Sequence, residues 1–219
     1  MKTRPVVLVH GLAGSARWWR ETEAALGRTH AVHAVDLPGF GSERRARFAL
    51  GDAPARLAER LENVGPAHLV GHSLGGLLCA RVAAQRPELV DRLVLVAPAG
   101  SLTGTTIRSQ ALPLARALVV AQPRFLRLLT ADALRAGPRT IVGAARELLH
   151  DDVLPELRSV RAETLLVWGE RDPLVPPSVG ELFRSELRKA RLEVLRGARH
   201  VPMVERPREF AALLAEFLG

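Results

Sequence analysis

The run Val70-Gly71-His72-Ser73-Leu74-Gly75-Gly76 constrains the fold of this chain more than any other feature. Ala67-His68-Leu69-Val70 is an apolar run of the kind expected in a parallel-sheet strand. Leu77-Leu78-Cys79-Ala80-Arg81-Val82-Ala83-Ala84 reads as a helix closed by Arg86-Pro87. Ser73 therefore stands on a sharp strand-to-helix turn, with Gly71 and Gly75 two residues to either side. The spacing has a mechanical cause. Such a turn presses the backbone against neighbouring chain, and side chains at the flanking positions would clash. The helix start adds oriented N–H groups and positive partial charge beside the serine. Two glycines around a serine are common in themselves; the strand before and the helix after give the pattern meaning.

Three further segments extend it. Pro5-Val6-Val7-Leu8-Val9-His10-Gly11 is a β-branched strand ending in His-Gly, followed by Leu12-Ala13-Gly14-Ser15. Thr164-Leu165-Leu166-Val167-Trp168-Gly169-Glu170-Arg171-Asp172 is a buried strand with an acid just past its end. Gly197-Ala198-Arg199-His200 follows the short strand Leu192-Glu193-Val194-Leu195. Ser73, Asp172 and His200 thus each follow a strand. In a parallel sheet those ends share one edge, where residues distant in sequence can meet.

On these motifs the chain resembles the α/β-hydrolase superfamily, as a small serine esterase-like member. The matching text also includes Trp19, Asp36-Leu37-Pro38-Gly39-Phe40-Gly41-Ser42, Pro173-Leu174-Val175-Pro176 after Asp172, and Val201-Pro202-Met203-Val204-Glu205-Arg206-Pro207 after His200. The match is weakest from about Ser101 to Val160. Relatives usually carry a hairpin before the His-Gly strand; here only Met1-Lys2-Thr3-Arg4 precede it, so that hairpin is expected to be missing.

Strands and helices alternate, which predicts an α/β fold: a mostly parallel sheet with helices on both faces. Six strands are expected near 5–10, 31–36, 67–72, 92–97, 164–168 and 192–195. Helices are expected near 16–26, 53–63, 74–85, 178–188 and 207–218. The alternation breaks between Pro98 and Val160, where helical periodicity is punctuated by Pro123, Gly137-Pro138 and Pro155. The expected organisation is a core of residues 1–98 and 161–219 with a small helical cap, 99–160, inserted over the active site. Most of the cap's apolar residues serve to dock it; a remainder is expected to face a greasy acyl or aromatic group.

At 219 residues the chain is one domain with room for a substantial core. The apolar stretch around Ala117-Leu118-Val119-Val120-Ala121 is too short to span a bilayer, and no signal-peptide pattern opens the chain. The one cysteine, Cys79, excludes an internal disulfide and reads as a buried filler. These points favour the cytoplasm. The net charge is +8, but the arginines are scattered, there is no tyrosine and aromatics are 4%, which argues against nucleic acid. The sharper reading of the charge is an acidic partner bound at the cap, such as an acyl-carrier protein.

A serine hydroxyl needs a base to become a nucleophile, and an imidazole suits neutral pH. His200 is the candidate base and Asp172 the carboxylate that orients it. The backbone N–H groups of Leu74 and Leu12 are the candidate oxyanion donors. Asp36 reads as a turn former and is the runner-up acid. His10 is expected to support the oxyanion loop, and His72 to point away from Ser73. His150-Asp151-Asp152 has no second ligand cluster, so no metal is expected, and no dinucleotide motif is present. The leading expectation is hydrolysis of carboxylic esters with short to medium acyl chains, through an acyl-enzyme and without cofactor. A serine in place of an aspartate argues against epoxide or halide chemistry. Alternatives are a C–C hydrolase or lyase, a methyl esterase on a carrier-bound acyl chain, a cofactor-free perhydrolase, and a non-catalytic ligand receptor.

Overall fold

The computed structural model describes residues 4–100, 107–119 and 121–219; residues 1–3, 101–106 and 120, the last two groups within the expected cap segment, lie outside it. Six strands form one parallel sheet: β1 (Val6–Val9), β2 (Val32–Val35), β3 (Ala67–His72), β4 (Val90–Val96), β5 (Glu163–Gly169) and β6 (Ala190–Leu195). Their order is β2-β1-β3-β4-β5-β6. The strand order reverses between β1 and β3, and in open parallel sheets the crevice at such a switch point is where ligands bind. The segments after β1, β3, β5 and β6 leave from the same edge.

The inner strands β1, β3, β4 and β5 are largely buried on both faces, as a sheet covered on two sides requires, while the edge strands β2 and β6 are partly exposed. Alternate residues divide between two cores. Val7, Val9, Leu69, Leu95, Leu166 and Trp168 face one; Val6, Leu8, Val70, Val94, Val96 and Val167 face the other. The first core is closed by α2 (Ala53–Val64), α3 (Leu74–Gln85) and, further along the chain, the helix Pro177–Glu186. Helix α2 shows why it forms: Pro54 sits in its first turn, Leu57, Ala58 and Leu61 make one buried stripe, and Gly65 at φ 87° ends it. The second core is closed by the Ala16–Trp19 turn with α1 (Arg20–Leu26) and by the C-terminal helix Pro207–Leu218, through Trp19, Leu26, Phe210 and Leu214.

Among the described residues between β4 and β5 lie four helices, α4 (Ile107–Val119), α5 (Pro123–Ala136), α6 (Pro138–Leu149) and α7 (Leu154–Leu157). After β5 come α8 (Pro177–Glu186), α9 (Pro202–Glu205) and α10 (Pro207–Leu218). The α4–α7 segment docks on the loops and helices near the switch point. Arg81 of α3 binds Asp151 at 2.7 Å and Glu156 at 2.8 Å. Glu147 of α6 accepts the Leu50 N–H at 2.6 Å. Asp151 is thus spent on an ion pair, and Asp152 accepts the Leu154 N–H. Among the described residues no helix is long and apolar enough to cross a membrane.

Small departures from the sequence-based bounds have local causes. Strand β1 starts after Pro5, which has no N–H for the ladder, and stops before His10, whose ring turns into the loop. Strand β4 begins two residues early, at Val90, across a register shift against β3. The single turn α9 carries no period of its own to read.

Candidate active site

Ser73 follows β3 and precedes α3, with φ 50° and ψ −115°. This is a left-handed conformation that a serine adopts at a cost of about 1–3 kcal/mol. The turn is over-determined: Ser73 N–H donates to Val96 O, and Ser73 O accepts from the N–H groups of Leu77 and Ala99. A Cβ at Gly75 would come within 2.5 Å of Val9 O and His10 O, and one at Gly71 within 2.6 Å of Cys79 Sγ. Both glycines are therefore demanded by close approach, the mechanical cause inferred from their spacing.

Asp172 and His200 meet. His200 Nδ1 lies 2.8 Å from Asp172 Oδ2, and Asp172 is buried. The other carboxylate oxygen, Oδ1, accepts the N–H groups of Leu174 at 2.8 Å and Val175 at 3.0 Å. Every contact of this carboxylate is with a donor, so Nδ1 of His200 carries the proton and Nε2 is left as the basic nitrogen. Two contacts that sequence reasoning missed hold the His200 loop in place. Gly169 lets it close on the end of β5; a Cβ there would lie 2.7 Å from Ala198 O. His72 donates its Nε2–H to the His200 carbonyl at 2.8 Å, and the two rings lie 4.9 Å apart. His72 is thus turned toward the His200 loop, not spent on Ser73. Ser73 Oγ and His200 share no hydrogen bond among the described residues; in an unliganded site such a bond is often loose and tightens with substrate.

The loop after β1 carries Leu12. His10 is fully buried; its Nε2 accepts the Leu37 N–H at 3.0 Å, so its Nδ1 is the donor to Gly11 O at 2.8 Å. Gly14 N–H also binds Gly11 O, at 3.1 Å. The N–H groups of Leu12 and Leu74 have no partner among the described residues. Asp36, the runner-up acid, is placed elsewhere. Its Oδ1 accepts Ala16 N–H at 2.7 Å, and its Oδ2 accepts the N–H and hydroxyl of Ser42 at 2.8 and 2.7 Å. Burial opposes its ionisation, but the Ser42 and Ala16 donors outweigh it and hold its carboxyl below the usual range. A cavity of about 580 Å³ beside the His200 loop is lined by Arg199 and Glu205 but by neither Ser73 nor Leu12.

Buried imidazoles make the fold acid-sensitive. Burial pushes the pKa of His10, His30, His68 and His72 down, that of His72 well below its ordinary value. In the unfolded chain these groups protonate near about pH 6.5. Below that pH the unfolded state takes up protons that the native state refuses, so stability falls as pH drops toward the lowered native values. Each imidazole takes away up to about 1.4 kcal/mol per pH unit. Glu205, whose carboxyl is raised by burial, acts in the opposite sense but alone. Urea unfolding is expected to give a free energy that is nearly flat between about pH 7.5 and 8.5 and lower at pH 5. Equal stability at pH 5 and pH 8 would contradict the burial of these rings.

Residues 6–213 match the model of the alpha/beta hydrolase family. A pimeloyl-[acyl-carrier protein] methyl ester esterase of Edwardsiella ictaluri is 31% identical, over 98% of this chain and 93% of that one. A monoacylglycerol lipase of Xenopus laevis is 25% identical, over 98% of this chain and 75% of that one. Among solved structures, a bacterial membrane phospholipase A matches with a TM-score of 0.83 at 31% identity, over 99% of this chain and 79% of that one. The sheet order, the strained turn at Ser73 and this match over nearly the whole length agree: the chain belongs to the alpha/beta hydrolase family.

Proposed function

We propose that this chain is a serine hydrolase of carboxylic esters. The observation that carries the reading is the 2.8 Å pairing of Asp172 with His200 next to the strained turn that presents Ser73. In this mechanism His200 Nε2 takes the Ser73 proton as Oγ attacks the ester carbonyl. Asp172 stabilises the imidazolium and keeps its tautomer. The oxyanion is held by the N–H groups of Leu12 and Leu74. The imidazolium then protonates the leaving alcohol, and water attacks the acyl-enzyme by the same route in reverse. Residues 99–160 act as a cap that encloses the acyl chain. No step uses a metal or cofactor.

Two of the relatives carry esterase or lipase names, which supports an ester as substrate. A narrower reading is a methyl ester on an acyl chain borne by an acidic carrier protein; the name of the Edwardsiella relative and the net charge of +8 support it. It is tested by comparing a carrier-bound methyl ester with a free one.

The acyl slot is inferred to be modest, because α4–α7 offer a single aromatic, Phe125, to line it. Each buried methylene contributes about 0.8 kcal/mol until the slot is full. In a series of nitrophenyl esters, kcat/KM is expected to climb a few-fold per carbon, peak between about four and eight carbons, and then fall. Preference for long-chain triglyceride emulsions would overturn this reading of residues 99–160.

A further inference from the structure

We propose that Asp132, on α5, is a positioning residue for the oxyanion loop: its buried carboxylate locks the segment Ser15–Trp18 to the inserted helices and so fixes the Leu12 N–H. The inference rests on the ester-hydrolase reading. Asp132 is 1% exposed and is the sole acid of its helix, whose other charged residues are Arg124, Arg127 and Arg135. A carboxylate taken out of water needs donors on both oxygens. Here the close donors come from one short segment 114 to 117 residues away. Ser15 Oγ donates to Oδ2 at 2.8 Å, Trp18 Nε1 donates to Oδ2 at 3.1 Å, and Arg17 Nη2 donates to Oδ1. Two of these three donors are neutral, so the contact is more than an ion pair. Phe125 of the same helix packs edge-on to Trp18 at 4.8 Å.

The link from this clamp to Leu12 is covalent and short. The Gly11 carbonyl and the Leu12 N–H belong to one planar trans peptide, so orienting one orients the other. Gly11 O is held on one side by His10 Nδ1–H and on the other by Gly14 N–H. Gly14 lies against the Trp18 ring, where a Cβ would be 3.0 Å from Cε2. Ala13 between them sits at φ 59°, so the turn has little slack. Asp132 thus holds Trp18 and Ser15, Trp18 holds Gly14, and Gly14 holds the peptide that aims the Leu12 N–H. The second anchor of this segment, Asp36 on Ala16 N–H, belongs to the sheet side. Asp132 is the anchor that makes the loop depend on the inserted helices.

The test is kinetic. Asp132→Asn keeps the shape but turns an NH2 toward donors; Trp18→Phe removes the Nε1 donor and trims the ring edge that lies against Gly14, while keeping an aromatic ring toward Phe125. Each variant is assayed on nitrophenyl butyrate and on its thionoester, with active sites counted by a fluorophosphonate. A displaced oxyanion donor costs about 10–100-fold. The expected result is a kcat loss of that order per titrated site in Asp132→Asn, a smaller loss in Trp18→Phe, and KM within about threefold. The preference for oxygen over sulfur at the reacting carbonyl should shrink in parallel, because sulfur fits the donors poorly and loses less when they move. A purely structural bond predicts otherwise: a lower melting temperature and fewer titratable sites, with kcat per site and the oxygen preference unchanged. That result overturns the inference. If Asp132→Asn does not fold, Trp18→Phe decides by the same two readouts. An active wild type with unaltered variants sinks this inference alone; a wild type without ester turnover sinks the hydrolase reading and this inference with it.

Discussion

Ser73→Ala is expected to lower kcat on nitrophenyl esters by about 10⁴–10⁶ while leaving the fold intact. The size follows from the role: without Oγ there is no acyl-enzyme, and only oxyanion donors and binding remain to help water attack. The fold should survive because the bonds that hold the turn are made by the Ser73 backbone, to Val96, Leu77 and Ala99, not by its hydroxyl. Circular dichroism and melting would show an unchanged structure, and single-turnover kinetics the lost step. Near-native turnover in this variant would remove Ser73 as nucleophile.

Asp172→Asn is expected to lose about 10⁴ in kcat, as the same change does in the best-studied serine triad. The two oxygens of Asp172 face only donors: Leu174 and Val175 N–H on Oδ1, His200 on Oδ2. An amide must turn its NH2 toward one of those sets. If it faces His200, it forces the proton onto Nε2 and removes the base. If it faces the turn, it loosens the segment that carries the carboxyl group. Asp36→Asn meets the same donor-only surroundings at Ala16 and Ser42, so it should cost stability, about 1–3 kcal/mol, and keep most turnover. Compared per folded molecule, a greater catalytic loss at Asp36 than at Asp172 would reverse the assignment of the acid.

The fold was legible because its signals are local. A β-branched run such as Val6–Val9, a proline at a helix start such as Pro207, and the buried stripe Leu57, Ala58 and Leu61 each state their element within a few residues. The turn at Ser73 was legible for the same reason, since Gly71 and Gly75 mark close approach within the motif itself. Contacts that join distant segments leave no such trace. His72 reaches the carbonyl of a residue 128 positions away, and Asp132 reaches Ser15 across 117. For Asp132 one faint signal existed: a lone acid in a helix otherwise charged only by arginines. For His72 there was none, because a histidine beside a serine reads the same whether it faces the serine, the core or another loop. Asp36 shows the converse limit. Its place after a strand made it a plausible acid, and only its three donors show that it ties the loops after β1 and β2 together.

The most direct test of the central claim is the mass of the intact protein after reaction with a fluorophosphonate. Hydrolysis through an activated Ser73 predicts one adduct per chain, mapped to Ser73 by peptide sequencing, slowed in Asp172→Asn and absent in Ser73→Ala. A wild-type chain that hydrolyses esters yet gains no adduct, or gains it on another residue, would contradict the account.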